Sequence, residues 1–172
     1  DLVAERNETR DALDQRLAMF LAMAGFLPVS VPNVLHTANY SKRDDIDFLS
    51  KWLGALQPSA VMLSGGNNIG KCKTRDFTED QLLDYAERRK MPVLGICRGM
   101  QMMAHWSGAE LHRVKGHVQT VHQVSGKITG KVNSYHDFSI KFCPSGYELL
   151  ARSEDGGIEA IRHQSLPWEG WM

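Results

Sequence analysis

Two short runs hold residue types able to do chemistry: Ser64-Gly65-Gly66-Asn67-Asn68 and Gly95-Ile96-Cys97-Arg98-Gly99. Val93-Leu94-Gly95-Ile96 is an apolar run that reads as a buried strand of a parallel sheet, and Arg98-Gly99-Met100-Gln101-Met102-Met103-Ala104 reads as a helix. A cysteine between them sits on a sharp, strained turn, where neighbours without Cβ relieve the crowding. Such a turn lifts the sulfur of Cys97 out of the sheet and aims it along the helix N-terminus, where the dipole and free backbone N–H groups favour a thiolate. The Gly65-Gly66 turn lets backbone N–H groups approach a ligand closely. One of these, with the N–H of Arg98, could face a carbonyl oxygen under attack by Cys97, which is the geometry of an oxyanion hole. The chemistry implied is acyl transfer through a thioester, then hydrolysis.

The remaining reactive residue types read more plainly. Cys72 and Cys143 are expected to be small buried hydrophobes, and Met100, Met102 and Met103 core packing. Gly65-Gly66 lacks the Lys-Ser/Thr of a phosphate loop. His117 and His122 have no carboxylate or cysteine to complete a ligand set, so loop hydrogen bonding and no metal is the expectation. A cysteine nucleophile needs a base, normally histidine, yet neither His136 nor His163 stands in a context that reads as one.

Composition narrows the classes. The chain has 172 residues and a formal net charge of zero, so nothing invites nucleic acid. No apolar run approaches the roughly 20 residues that span a bilayer, and no signal peptide is visible. The three cysteines form no C-x-x-C pair, which argues against a disulfide framework and fits a reducing cytoplasm. The chain opens without Met and closes on Trp168-Glu169-Gly170-Trp171-Met172 in mid-pattern, so further residues are expected on both sides.

The elements that must position these loops alternate. Helices are expected over Asn7–Ala24, Asp44–Leu53, Thr78–Lys90 (with Thr78 and Gln81 as a capping box) and after Cys97. Strands are expected over Phe26–Val31, Pro58–Leu63 and Val93–Ile96, with residues 70–77 a polar loop. The second half offers Val118–Val124, Gly126–Val132, Phe138–Ile140, Tyr147–Arg152 and Gly157–Ile161 as short strands. The expectation is a single α/β domain over residues 1–172, a three-layer sandwich with a mainly parallel, flavodoxin-like central sheet, a nucleophile elbow and a small antiparallel addition in the second half.

The motifs resemble the class I glutamine amidotransferase-like superfamily, and within it the γ-glutamyl hydrolase type (peptidase C26-like). The matching residues are Leu63-Ser64-Gly65-Gly66-Asn67, Pro92 through Gln101, and Asn133-Ser134-Tyr135-His136. Arg10-Asp11-Ala12-Leu13-Asp14-Gln15, with Val31-Pro32-Asn33, resembles the subgroup of γ-glutamyl-CDP-amidate hydrolases. The resemblance implies a Cys-His-Glu triad acting on a small-molecule γ-glutamyl substrate without a cofactor. Cys97 would be the nucleophile, and the N–H groups of Gly66 and Arg98 would hold the oxyanion. Gly65, Gln101, Ser134, Tyr135 and His136 would bind the glutamyl moiety, His136 shaping that wall rather than taking the proton. Gly170-Trp171-Met172 aligns with the start of the run that carries the family's catalytic histidine and glutamate, so both are expected beyond Met172, and the family's first strand before residue 1. Met172 and Phe138 stand where the family often has Gln. Two alternatives stand beside the hydrolase: a glutaminase subunit feeding ammonia to a synthase partner, and a non-catalytic binding module of the same fold.

Overall fold

A computed structural model describes residues 2–36 and 48–172, and these fall into two compact units, 1–47 and 48–172. In the first unit, strands β1 (Leu2–Val3) and β2 (Glu8–Thr9) pair antiparallel, and helix α1 spans Gln15–Met23. Asp14 begins the helix, its carboxylate accepting the Arg16 N–H at 2.9 Å. The helix is shorter than the 7–24 expected because this cap sits inside the apolar period. Residues 26–31 are irregular rather than a strand. Asn33 donates through its side chain and its backbone to the Asp11 carboxylate, at 2.6 and 2.9 Å, so the two segments Arg10–Gln15 and Val31–Asn33 are joined.

The second unit opens with α2 (Phe48–Leu56) and β3 (Val61–Leu63); the first residues of the helix expected from Asp44 lie outside the described residues. Then come α3 (Lys73–Arg89), β4 (Val93–Ile96), α4 (Arg98–Trp106) and β5 (Leu111–Arg113). The chain continues through β6 (Val118–Gly126), β7 (Gly130–Tyr135), β8 (Phe138–Ile140), β9 (Tyr147–Ser153), β10 (Ile158–His163) and β11 (Trp168–Trp171). α3 begins at Lys73, inside the stretch expected to be a loop. Thr78 is therefore no cap: its hydroxyl donates back to the Thr74 carbonyl at 2.9 Å within the helix.

The architecture is α/β, with one seven-stranded sheet in the order β3-β4-β11-β10-β9-β6-β7. β3, β4 and β11 run parallel, while the neighbours from β11 through β10, β9 and β6 to β7 pair antiparallel. Most second-half strands thus extend the main sheet, and only β5 and β8 form a separate antiparallel ribbon. β11 is the switch strand, and with β3 and β4 it brings three carboxyl ends to one edge, where open α/β sheets bind ligands. α4 packs across β3, β4 and β11, with Met100, Met102 and Met103 buried as core. No helix among the described residues is long and apolar enough to cross a membrane.

Two glycines set the closeness of this packing. A Cβ on Gly95 would come within 2.5 Å of the Met103 sulfur and 2.7 Å of the Gly99 backbone. One on Gly99 would overlap the Leu63 carbonyl of β3. Gly99→Ala should therefore lower stability by about 1–3 kcal/mol, the range for overpacking. Gly130→Ala, where a Cβ meets open space, should stay within about 0.5 kcal/mol of the parent. Urea-unfolding midpoints check this, and equal shifts for the two variants would contradict the packing account.

Candidate active site at the Cys97 elbow

Cys97 adopts φ 51° and ψ −109°, a left-handed backbone that a side-chain-bearing residue rarely takes, directly between β4 and α4. Its N–H donates to the Trp171 carbonyl of β11 at 2.6 Å, and its carbonyl accepts the Gln101 N–H at 3.1 Å, so the turn is held from both sides. The sulfur lies 3.9 Å from the Tyr135 carbonyl. It opens on a cavity of about 270 Å³ also lined by Gly66, Asn67, Asn68, Lys71, Arg98, Gln101, Tyr135, His136 and Asp137.

The elbow is anchored by an ion-pair network that no motif in the sequence announces. The Arg98 side chain, 1 % exposed, pairs with Asp76 and Glu79 of α3. Glu79 also accepts from Arg75 Nε at 2.8 Å. Arg75 Nη2 in turn donates to the carbonyls of Ser64 and Gly65, at 2.8 and 3.1 Å. Asp76 takes the Gly70 N–H at 2.8 Å. One chain of charge-assisted bonds therefore joins the turn after β4 to the double-glycine loop after β3. Gly66, at φ 148°, lies against the Arg75 guanidinium, leaving no room for a side chain.

The residues singled out in the sequence meet here to different degrees. Gly66, Arg98, Gln101, Tyr135 and His136 line the cavity with Cys97. Gly65 lies beneath the elbow, where a Cβ would sit 3.7 Å from that of Cys97. Ser134 does not line the cavity: its buried hydroxyl donates to the His117 carbonyl at 2.7 Å. The Gln101 side-chain amide donates to the Phe138 carbonyl at 2.8 Å and touches the Met172 sulfur at 3.6 Å. Lys71 and Asp137 add a charge of each sign to the lining. A charge beside an elbow is a signal the sequence carried, but only folding shows which charges arrive.

His136 is the one histidine of the lining among the described residues. Its Nδ1 donates to the Phe138 carbonyl at 2.9 Å, and its Nε2 lies 3.7 Å from Oε1 of Glu159, so neither nitrogen serves Cys97. Glu159 lies 3.5 Å from Nδ1 of His117 as well. The carboxylate that sequence reasoning found lacking beside His117 is thus supplied by β10, and His136 replaces His122 in the group. The His122 ring instead lies tilted by 48° against that of His117, centroids 4.3 Å apart.

The thiolate expected at Cys97 also needs correction. Burial pushes this thiol above its ordinary pKa, the Arg98 N–H pulls it back, and the Glu159 charge adds to the rise. Desolvation outweighs the helix terminus. Cys72 behaves oppositely: it is half-buried at the start of α3, and the Thr74 hydroxyl and Arg75 N–H hold its thiol below the usual range. It is not the buried hydrophobe expected, because it precedes a helix rather than packing under one. Cys143 is half-buried too.

Residues 25–171 match the family described as glutamine amidotransferase class-I. The chain is 33% identical over 111 residues to a gamma-glutamyl-CDP-amidate hydrolase of Campylobacter jejuni, covering 61% of this chain and 56% of that one. It is 31% identical over 129 residues to a glutamine-hydrolyzing GMP synthase subunit of Thermococcus kodakarensis, covering 67% and 65%. The chain thus spans between about half and two thirds of the length of these curated relatives. A solved structure of a putative GMP synthase subunit from Thermoplasma acidophilum shares the fold at a TM-score of 0.62 and 23% identity, over 71% of this chain and 64% of that one.

Two outcomes follow from the site. Glu79→Ala leaves the buried Arg98 and the half-buried Arg75 guanidinium each short of a partner and should cost about 3–5 kcal/mol in urea unfolding. A neutral alkylating reagent at pH 7 should modify Cys72 before Cys97, and Cys97 labelling should climb as pH rises through its elevated pKa. Peptide mapping across a pH series reads both rates; Cys97 reacting first at pH 7 would contradict the desolvation argument.

Proposed function

The chain belongs to the class-I glutamine amidotransferase family, and from that premise we propose that it cleaves the γ-amide bond of a γ-glutamyl compound through a γ-glutamyl thioester on Cys97. The observation that carries the reading is the left-handed turn at Cys97, its sulfur opening on a cavity that Gly66 and Arg98 also line. The Cys97 thiol gives up its proton as the sulfur attacks the γ-carbonyl carbon. The carbonyl oxygen gathers the negative charge between the Gly66 and Arg98 N–H groups. The C–N bond then breaks, and the amine leaves carrying a proton. Water attacks the thioester, releasing glutamate and restoring the thiol.

The raised thiol pKa makes a base necessary for the first step. The Cys97 sulfur meets the Tyr135 carbonyl, while His136 Nδ1 is held by the Phe138 carbonyl and its Nε2 faces Glu159, so the base in this reading is the histidine of the Cys-His-Glu triad that the family resemblance implies. The cavity, at about 270 Å³, falls at the lower edge of the roughly 300–1,000 Å³ of small-molecule sites, suited to an amino-acid-sized group. Lys71 and Asp137 suit the α-carboxylate and α-ammonium of a glutamyl end, with Gln101 and the Tyr135 backbone beside them. Stand-alone γ-glutamyl hydrolysis is favoured by the likeness to the amidate hydrolase. The likeness to the Thermococcus GMP synthase component supports a second reading, a glutaminase that hands ammonia to a synthase partner.

A diazo-ketone analogue of glutamine should attach to Cys97, with labelling abolished in Cys97→Ser. Attachment confined to Cys72 or Cys143 would remove the nucleophile assignment. Glutamate release from a panel of γ-glutamyl amides separates the two readings. A hydrolase turns over alone, whereas a glutaminase component gains activity only on addition of its synthase.

A further inference from the structure

Behind the wall that carries Tyr135, three side chains from separate parts of the antiparallel half converge. They are His117 just before β6, His136 between β7 and β8, and Glu159 on β10, exposed by only 1 %, 4 % and 3 %. The outward nitrogen of each imidazole is already committed. His117 Nε2 lies 2.7 Å from the Asp155 carboxylate, and His136 Nδ1 is 2.9 Å from the Phe138 carbonyl. Both partners are acceptors, so both nitrogens carry the hydrogen and donate. Where a ring binds a cation, the inner nitrogen is therefore the one free to offer its lone pair. These inner atoms, His117 Nδ1 and His136 Nε2, face Glu159, and neither they nor the two Glu159 oxygens have a hydrogen-bond partner among the described residues.

Three buried, unpartnered atoms, His117 Nδ1, His136 Nε2 and Glu159 Oε1, thus converge, an arrangement that low dielectric makes costly unless something positive lies among them. A proton shared directly between two of the groups fits poorly, because the closest approaches are 3.5 and 3.7 Å, beyond the 2.7–3.2 Å of a hydrogen bond. They are close to what a cation needs: bonds of about 2.0–2.2 Å in tetrahedral array set ligand atoms about 3.3–3.6 Å apart. All three ligand atoms lie within 4.8 Å of one another.

We infer that His117 Nδ1, His136 Nε2 and Glu159 Oε1 form a site for one divalent cation of the zinc class, separate from the cysteine chemistry. Two imidazoles and a carboxylate select zinc or cobalt over magnesium or calcium, which prefer all-oxygen sets. The outer shell is in place as well, since each ligating ring donates its second N–H to a carboxylate or carbonyl, which fixes tautomer and orientation. The Asp155 carboxylate is itself held by the Ser153 hydroxyl at 2.6 Å and the Gly157 N–H at 3.2 Å. Bound there, the cation ties β10 to the approach to β6 and to the β7–β8 corner, and through His136 it stiffens one wall of the Cys97 cavity.

The test uses the chain carrying Cys72→Ser and Cys143→Ser, to remove competing thiols, stripped with a chelator and titrated with Co²⁺ and then Zn²⁺. Expected are one Co²⁺ per chain, visible d–d bands of a four- or five-coordinate ion without a sulfur charge-transfer band, displacement by Zn²⁺, and a rise in melting temperature on loading. Glu159→Gln should abolish the bands. Asp155→Asn, at an exposed outer-shell position, should weaken affinity by about 10–100-fold and serves if Glu159→Gln fails to fold. Binding unaffected by either change, a thiolate-to-cobalt band from Cys97, or no stoichiometric binding would overturn the proposal and leave a bridging water or a protonated Glu159 as the account of the cluster. Because metal binding is the readout, the result is independent of the thioester reading.

Discussion

A guanidinium almost sealed from water holds this site together. Arg98 follows the nucleophile directly, and its side chain lies under α4 between Asp76 and Glu79. A buried charge is tolerated only while its partners remain, so α3 and the start of α4 cannot separate without leaving it stranded. Glu79 also binds Arg75, and Arg75 holds the carbonyls of Ser64 and Gly65. The two loops whose N–H groups would face an oxyanion are therefore fixed relative to each other through carboxylates on a third element. This tether, with the Trp171 carbonyl on the Cys97 N–H, balances a positive-φ cysteine that costs on the order of 1–3 kcal/mol in isolation.

Strand direction does the rest. β11 lies between β4, with which it runs parallel, and β10, which it meets antiparallel. It thereby brings the elbow and the antiparallel half to one edge, and the field of Glu159 reaches Cys97. The sulfur is in consequence a protonated thiol held ready, with desolvation opposing its ionisation. A group proximal to the site that neutralises Glu159 would ease that opposition.

What the sequence made legible was local. The β4–Cys97–α4 unit could be read because an apolar run, two glycines and a methionine-rich period are contiguous, and β6, β8, β9 and β10 because turn residues bracket them, whereas the expected Gly126–Val132 strand straddles the β6–β7 turn and β5 and β11 were not foreseen. The anchoring of the elbow was not legible. α3 buries Thr78 and Glu79 on its inward face, so the apolar period that marks a helix is interrupted and its first turns look like a polar loop. Phe26–Val31 is apolar enough for a strand but joins no sheet among the described residues. Glu159 sits between Ile158 and Ala160 in a strand buried on both faces, where alternation would have turned it to solvent. Its meeting with His117 and His136 depends on the order of strands in the sheet, which no local pattern encodes.

The most direct test is a crystal structure of the chain with a glutamine-derived ketone bonded to Cys97. Expected is a carbonyl oxygen within hydrogen-bond distance of both the Gly66 and Arg98 N–H groups, the Arg98–Glu79 pair intact, and the α-carbon end near Lys71 and Asp137. A ketone oxygen turned away from both N–H groups, or an elbow that relaxes to negative φ once Cys97 is modified, would contradict it.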